Sequence, residues 1–333
     1  DATGWTRQVI ETGVLQLDGR ISADGRPGVG SSAGGGSGGS VLLTAGTLAG
    51  SGFISANGGM GNYLGGGGAG GRIAVNYSVN AFTGIISAFG GGGYAWGGAG
   101  TVYSKATNQS WGQVIADNGG HSGTNTSLGY SSPGTIDLTL RNGAVLSPLP
   151  SQSFASLLVA SNGWLSVSNQ TLNVQGNATI QAGGGIIADG TGYSAGQGPG
   201  AGGYGYSSPS RYVGGGAGYG GYGGLGTVGG FPGGPVIFGG NSYGWVSSPN
   251  DRGSGGGGYP PYTLGGAGGG AIRLTVNGAL QVDGKLSAAG LAPSNPDGGG
   301  GSGGSIFLTV GSLAGAGRIS ANGGTSPGSG GGG

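Results

Sequence analysis

Few side chains in this chain are able to do chemistry, and they stand apart from one another. Ten acidic residues, eleven Lys plus Arg and one His (His121) are spread over 333 positions, and Cys is absent. Without Cys there is neither a disulfide nor a thiolate metal site, and a lone His leaves no zinc site. Calcium-binding nonapeptide repeats put Asp at fixed spacing in Gly-rich turns, whereas Asp24, Asp189 and Asp297 are isolated. A polysaccharide-active β-helix enzyme needs carboxylates held together, or carboxylates beside Arg or Lys. Asp117 and Asp137 lie on neighbouring strand motifs and are the pair placed to meet, but turn and surface roles are the plainer expectation. His121, within NGGHSGTN, is expected to be exposed and idle. GxGxxG-like strings such as Gly214–Gly226 carry no information in a chain with 96 Gly, and no helix can begin after them. The expectation is no catalytic, cofactor-binding or metal residue, and no enzyme. Five N-x-[ST] sequons, at Asn76, Asn108, Asn125, Asn169 and Asn177, are formal glycosylation acceptors.

Bulk properties exclude further classes. The net charge of +1 offers no basic face to nucleic acid. No run of eighteen apolar residues is present to span a membrane as a helix. Gly-rich, charge-poor chains are often disordered, but disorder goes with few apolar residues and high net charge. Here 35% of residues are hydrophobic, with 14 Tyr, 7 Phe and 5 Trp, so a folded chain is expected.

The elements that must position these residues are announced by a repeat. GGSVLLTAGTLAGSGFISANGG (Gly38–Gly59) returns as GGSIFLTVGSLAGAGRISANGG (Gly303–Gly324). GVLQLDGRISADG from Gly13 returns as GALQVDGKLSAAG from Gly278, at the same offset of 265 residues. A long in-register period points to an array. Residues 1–12 are then a lead-in or the end of a preceding unit. Residues 13–277 make one unit: a strand-rich part (13–190), a Gly/Tyr-rich insertion (191–270) and a strand (271–277). Residues 278–333 begin a second copy.

Within the unit, apolar residues alternate, as in Ile73, Val75, Tyr77 and in Ile136, Leu138, Leu140, which is a strand signal. Asn-Gly and Asp-Gly pairs, such as Asn142-Gly143 and Asp24-Gly25, mark corners that tolerate positive φ. A recurrent grammar joins an alternating strand, a turn, a short strand of type G-x-I-S-A-x-G, and glycines. GQVIADNGG from Gly112 is assigned to the short strand type. The expected fold is all-β without helix: a β-solenoid or parallel β-helix-like stack with glycine-rich insertions. Packed antiparallel hairpin sheets are the runner-up.

The glycine runs (Gly34–Gly39, Gly65–Gly71, Gly90–Gly93, Gly214–Gly216, Gly255–Gly258, Gly298–Gly304) suit polyglycine II, extended threefold helices that bond only laterally. They resemble the glycine-rich domains of anaplastic-lymphoma-kinase-type receptors and of phage tail-tip adhesins, which use polyglycine II bundles. The Tyr/Gly/Ser span also resembles silk-type and cell-wall glycine-rich proteins, and the whole grammar resembles repetitive bacterial surface and fibre proteins. That resemblance implies a secreted, extracellular or cell-surface structural protein. Its units would associate head to tail as a filament. A glycan- or surface-binding adhesin, with ice binding as a variant, is the alternative, and a polysaccharide-active enzyme the third. The aromatics of 191–270 (Tyr204, Tyr206, Tyr212, Tyr219, Tyr222, Phe231, Tyr243, Trp245, Tyr259, Tyr262) are expected to fill gaps between glycine segments or subunits, with sugar stacking as the functional alternative.

Overall fold

The computed structural model describes residues 6–129, 134–150, 152–208, 211–227, 236–259, 261 and 264–326. Among them there is no helix. Long and short strands alternate at first: β1 Thr6–Gln16 with β2 Arg20–Ser22, β3 Ser40–Gly50 with β4 Phe53–Ser55, β5 Arg72–Phe82 with β6 Ile85–Ser87. Next come β7 Thr101–Ala106, β8 Gly112–Asp117 and β9 Asn125–Ser127, then β10 Ile136–Arg141 with β11 Val145–Ser147 and β12 Ser153–Val159 with β13 Trp164–Ser166. β14 Asn169–Val174, β15 Ala178–Ile180 and β16 Gly185–Ile187 follow. The glycine-rich part holds β17 Tyr204–Ser208, β18 Arg211–Gly214, β19 Gly226–Thr227 and β20 Val236–Ile237. The chain ends through β21 Ala271–Val282, β22 Lys285–Ser287, β23 Ser305–Ala314 and β24 Arg318–Ser320. Two compact units form, one from 1–166, 174–185 and 278–284, the other from 167–173, 186–277 and 285–333.

In the first unit the main sheet runs β1-β3-β5-β7-β8-β10-β12-β15 and ends on the 280–282 stretch of β21. Every one of these pairings is parallel except β7–β8. Parallel neighbours need a crossover of a dozen or more residues. From β1 to β7 the crossover is the short strand followed by a glycine segment, whereas between β10 and β12 it is β11 and a glycine-poor stretch. Short strands pair with each other, β2-β4-β6 in one sheet and β9-β11-β13 in another, again parallel. Antiparallel hairpin sheets therefore do not describe the main sheet. One sequence expectation is corrected: β8, assigned to the short type, lies in the main sheet as the antiparallel partner of β7 (Val102↔Ile115). The turn between them allows the reversal, with Gln109 Oε1 accepting the Ala106 N–H at 2.9 Å.

The alternation read from the sequence sets the core. Val41, Leu43 and Leu48 of β3, Ile136, Leu138 and Leu140 of β10, and Phe154, Leu157 and Val159 of β12 are buried. So are the central residues of short strands, Ile54, Leu146 and Leu165. Because strand side chains alternate, a 3-residue strand gives the core a single large residue. Corners join each long strand to the short strand that follows it. Asn142 and Gly143 take φ of 54° and 87°, and Asn162 takes 55°. Their carboxamides suit the left-handed region better than other side chains do. Asp24-Gly25 and Asn57-Gly58 stay out of that region.

In the second unit, β23 pairs with β21, and β16, β22 and β24 pair side by side. β17–β18 and β19–β20 are small antiparallel hairpins. Its centre is made of glycine. Val213–Tyr219, Gly253–Gly258 and Gly298–Ser305 are buried along their whole lengths, outside regular strands except for the ends Val213, Gly214 and Ser305. Neighbouring segments bond laterally through their backbones: Gly215 N–H to Gly203 O (2.8 Å), Gly257 to Gly215 (2.8 Å), Gly299 to Gly257 (2.9 Å), Gly266 to Gly299 (2.9 Å) and Gly256 to Gly266 (2.9 Å). A Cβ on Gly257 would fall 1.8 Å from Gly203 O, and one on Gly240 1.8 Å from Gly200 O. Only glycine permits such an approach. The first unit holds a smaller version, with Gly59 donating to Gly36, Gly68 to Gly59 and Gly91 to Gly68.

The two sequence copies fold alike. β2 pairs β4 as Arg20↔Phe53, and β22 pairs β24 as Lys285↔Arg318, each residue displaced by 265. Gly25 N–H donates to Asn57 O, and Gly290 to Asn322; Gly39 donates to Ala23, and Gly304 to Ala288; Gly59 donates to Gly36, and Gly324 to Gly301. The matching glycines at Gly330–Gly333 lie outside the described residues. The copies differ in cover. β3 is flanked by β1 and β5, whereas among the described residues β23 pairs with β21 alone. Leu48 and Ile54 are accordingly buried, while their counterparts Leu313 and Ile319 are 53% and 43% exposed.

Candidate functional site

The side chains with chemical capacity are spent on bonding one strand pair to its neighbour in the sheets. The variable position of the I-S-A-x-G motif carries Asp24 after β2, Asn57 after β4 and Phe89 after β6. Asp24 Oδ1 accepts the N–H of Asn57 at 2.7 Å, and Asn57 Oδ1 accepts that of Phe89 at 2.8 Å. Asn118, fully buried, accepts the Gly90 N–H at 2.7 Å and donates through Nδ2 to His121 O and Gly97 O. The second unit uses the same device, with Asp189 Oδ1 accepting the Ala289 N–H at 2.8 Å. Each acceptor therefore serves an amide that follows another short strand. Sequence reasoning treated Asp24 and Asp189 as isolated because their partners are remote along the chain. The recurrence of Asp or Asn at one motif position was the available signal.

Asp24 also accepts from Arg20, Ser22 (2.7 Å) and Ser55 (2.9 Å). Burial opposes its charge and is the largest single influence, but the Asn57 amide, the two hydroxyls and Arg20 together outweigh it and lower the pKa. Asp189 is lowered against burial in the same way by Ser287, the Ala289 amide and Lys285. A carboxyl whose folded pKa is depressed contributes stability above its unfolded pKa and loses it as pH falls through the folded one. The unfolding midpoint is expected to drop on acidification below the ordinary aspartate pKa. In Asp24→Asn, which keeps Oδ1 for the Asn57 amide, that drop should be smaller. Carboxyl-resolved NMR titration with thermal melts across this range checks it, and an identical acid profile for the variant would contradict it.

The remaining site candidates disperse. Asp117 pairs in register with Arg141, and Asp137 with Gln113, so four residues of strand separate the two carboxylates. At roughly 3.3 Å per residue they lie about 13 Å apart along the sheet. Asp117 bonds Arg141 Nε (2.6 Å) and Asn142 Nδ2 (3.0 Å), while Asp137 accepts from Ser156 Oγ. His121 is exposed but not idle: its ring stacks on Trp96, centroids 3.5 Å apart and 6° from parallel. No group of three metal-ligating side chains occurs among the described residues. Among the described residues no helix is long and apolar enough to cross a membrane.

Among the sequons, Asn108 sits in the exposed turn between β7 and β8. Asn76 is held within β5 between Thr44 and Lys105. The other three carboxamides are engaged: Asn125 with Ser147 Oγ, Asn169 with Arg273, and Asn177 with the Ala279 N–H.

The aromatics lie mostly outside the glycine lattice, whose segments meet backbone to backbone. Tyr204, Tyr206, Tyr222 and Trp245 are exposed. Tyr212 stacks on Tyr259 at 4.3 Å, with Tyr204 and Tyr206 beside them at 5.4 and 5.2 Å. Tyr219 and Tyr243 are the inward exceptions. Tyr243 OH accepts from Ser254 Oγ at 2.8 Å, and burial pushes its pKa up to about 12. Phe231 and Tyr262 lie outside the described residues. No protein-family model, no curated protein and no solved structure matches the chain.

Proposed function

We propose that the chain is a structural building block of an extracellular filament or cell-surface fibre. Its rungs form a parallel β-solenoid, and its glycine segments form polyglycine II bundles beside the rungs. The unit repeats every 265 residues, and identical units associate head to tail. The carrying observation is the identical strand pairing and hydrogen bonding of the two copies at that offset. The β1–β2 rung, which pairs with β3 and β4 on one side and ends the sheet on the other, is then the edge that a neighbouring unit would lay on β23 and β24. Such contact is heterologous and does not close, which generates a filament. The composition fits this role. Few charged side chains need solvation, and the backbone bonding of buried glycine yields a stiff interior without large side chains.

Electron microscopy and fibre diffraction of the concentrated protein test the proposal. Unbranched filaments with a strand-spacing reflection near 4.8 Å are expected. Discrete monomers, or closed rings, at all concentrations would overturn it.

A further inference from the structure

We propose that a cleft in the first unit binds a neutral saccharide. The short sheet β2-β4-β6 stops at β6, and the next begins at β9. The β7–β8 hairpin lies between them and supplies no short strand to close the core. A cavity of about 300 Å³ opens there, at the small end of the range for ligand pockets, roughly 300–1,000 Å³. Its base is apolar, formed by Val75, Ile86, Val102 and Ile115. Tyr77 and Phe89 add aromatic rings, and Asn80, Ser104, Gln113 and Arg141 bring polar groups.

The chemistry of this lining selects the ligand. Arg141 is paired with Asp117, so the polar wall has no net charge and favours neither an anion nor a cation. The Asp117 carboxylate is already occupied by Arg141, Asn142 and the Gly119 N–H. Among the described residues, no protein group engages the side chains of Ser104 or Gln113, the Tyr77 hydroxyl or the two Nη of Arg141. Together these groups present donors and acceptors over an apolar, aromatic base. An apolar ligand would leave the polar groups without partners, at a cost. A pyranose matches the set: its C–H face lies on apolar and aromatic surface, and its hydroxyls both donate and accept. The cleft occupies one unit and does not depend on filament formation.

The test titrates the 333-residue chain with glucose, galactose, mannose and N-acetylglucosamine, followed by saturation-transfer NMR and calorimetry. Phenol serves as the apolar probe. Saturable millimolar binding of at least one sugar is expected. Gln113→Ala should weaken it about tenfold, the effect of losing a hydrogen bond at the stronger end of the usual range. Ser104→Phe should abolish it by filling the cavity, with circular dichroism verifying the fold. Tyr206→Ala, in the exposed tyrosine cluster of the second unit, should leave it unchanged. No sugar binding, binding insensitive to both cleft variants, binding lost in Tyr206→Ala, or preference for phenol would each overturn the proposal.

Discussion

Gly257→Ala is expected to destabilise the second unit by about 3–5 kcal/mol, whereas Gly220→Ala is expected to be neutral or to stabilise it by about 0.4–1 kcal/mol. Both exchanges add one methyl group. At Gly257 the new Cβ meets Gly203 O at 1.8 Å, Gly203 C at 2.7 Å and Gly202 O at 2.9 Å. All three are backbone atoms, so no flexible side chain can swing away. Moving the Gly257 segment strains the bonds from Gly257 to Gly215 and from Gly299 to Gly257, and moving the Gly203 segment strains those from Gly215 to Gly203 and from Gly202 to Gly255. Overpacking alone costs about 1–3 kcal/mol, and a buried backbone group left without its partner about 1–3 kcal/mol more. A Cβ on Gly220 has nothing within 4 Å, and the residue is exposed without positive φ. There the alanine mainly lowers the entropy of the unfolded chain. Urea unfolding of both variants decides the matter. Equal midpoints would mean that the buried glycine runs do not need the close approach.

The contrast between these glycines also marks where sequence reasoning succeeds and fails. Ile136, Leu138 and Leu140 announced a strand with one buried face, because a period of two has a single structural meaning. The short strands were recognisable for a different reason: I-S-A-x-G recurs, and a repeated motif with one apolar centre gives each short strand one core residue. The position of β8 was not readable. GQVIADNGG carries the short-strand pattern, and only the tight turn after β7 sends it back along the main sheet. The role of Asp24 was equally hidden, since its closest long-range partners, Asn57 and Ser55, are 33 and 31 residues away. Run lengths alone cannot distinguish glycines with a carbonyl at van der Waals contact from those facing solvent, as Gly257 and Gly220 show. The cleft has no motif at all, because it arises from a strand missing between β6 and β9.

The two copies supply a second pair of matched substitutions. Ile54 is fully buried, with Ile21 and Ile86 as its register partners in β2 and β6. Ile319 holds the equivalent place after β23, pairs with Leu286 on one side, and is 43% exposed. Ile54→Ala should therefore cost about 2–5 kcal/mol in the dilute chain, a transfer loss plus an unfilled cavity. Ile319→Ala should cost about 1 kcal/mol, since less surface is lost from burial and no closed cavity forms. Head-to-tail stacking predicts that this difference changes on assembly. Once the β1–β2 edge of a neighbouring chain covers β23 and β24, Ile319 acquires a partner in the neighbour's Ile21, and its truncation is felt at the junction. If the junction loses about 1.4 kcal/mol or more, the critical concentration for filament growth rises at least about tenfold. Ile54→Ala, examined at a denaturant concentration where it remains folded, should leave that concentration near the wild-type value because Ile54 lies inside one unit. Urea melts at low concentration and sedimentation at high concentration measure the two quantities. Equal destabilisation by the two variants in the dilute chain would refute the difference in cover. An unchanged critical concentration in Ile319→Ala would exclude β24 from the junction.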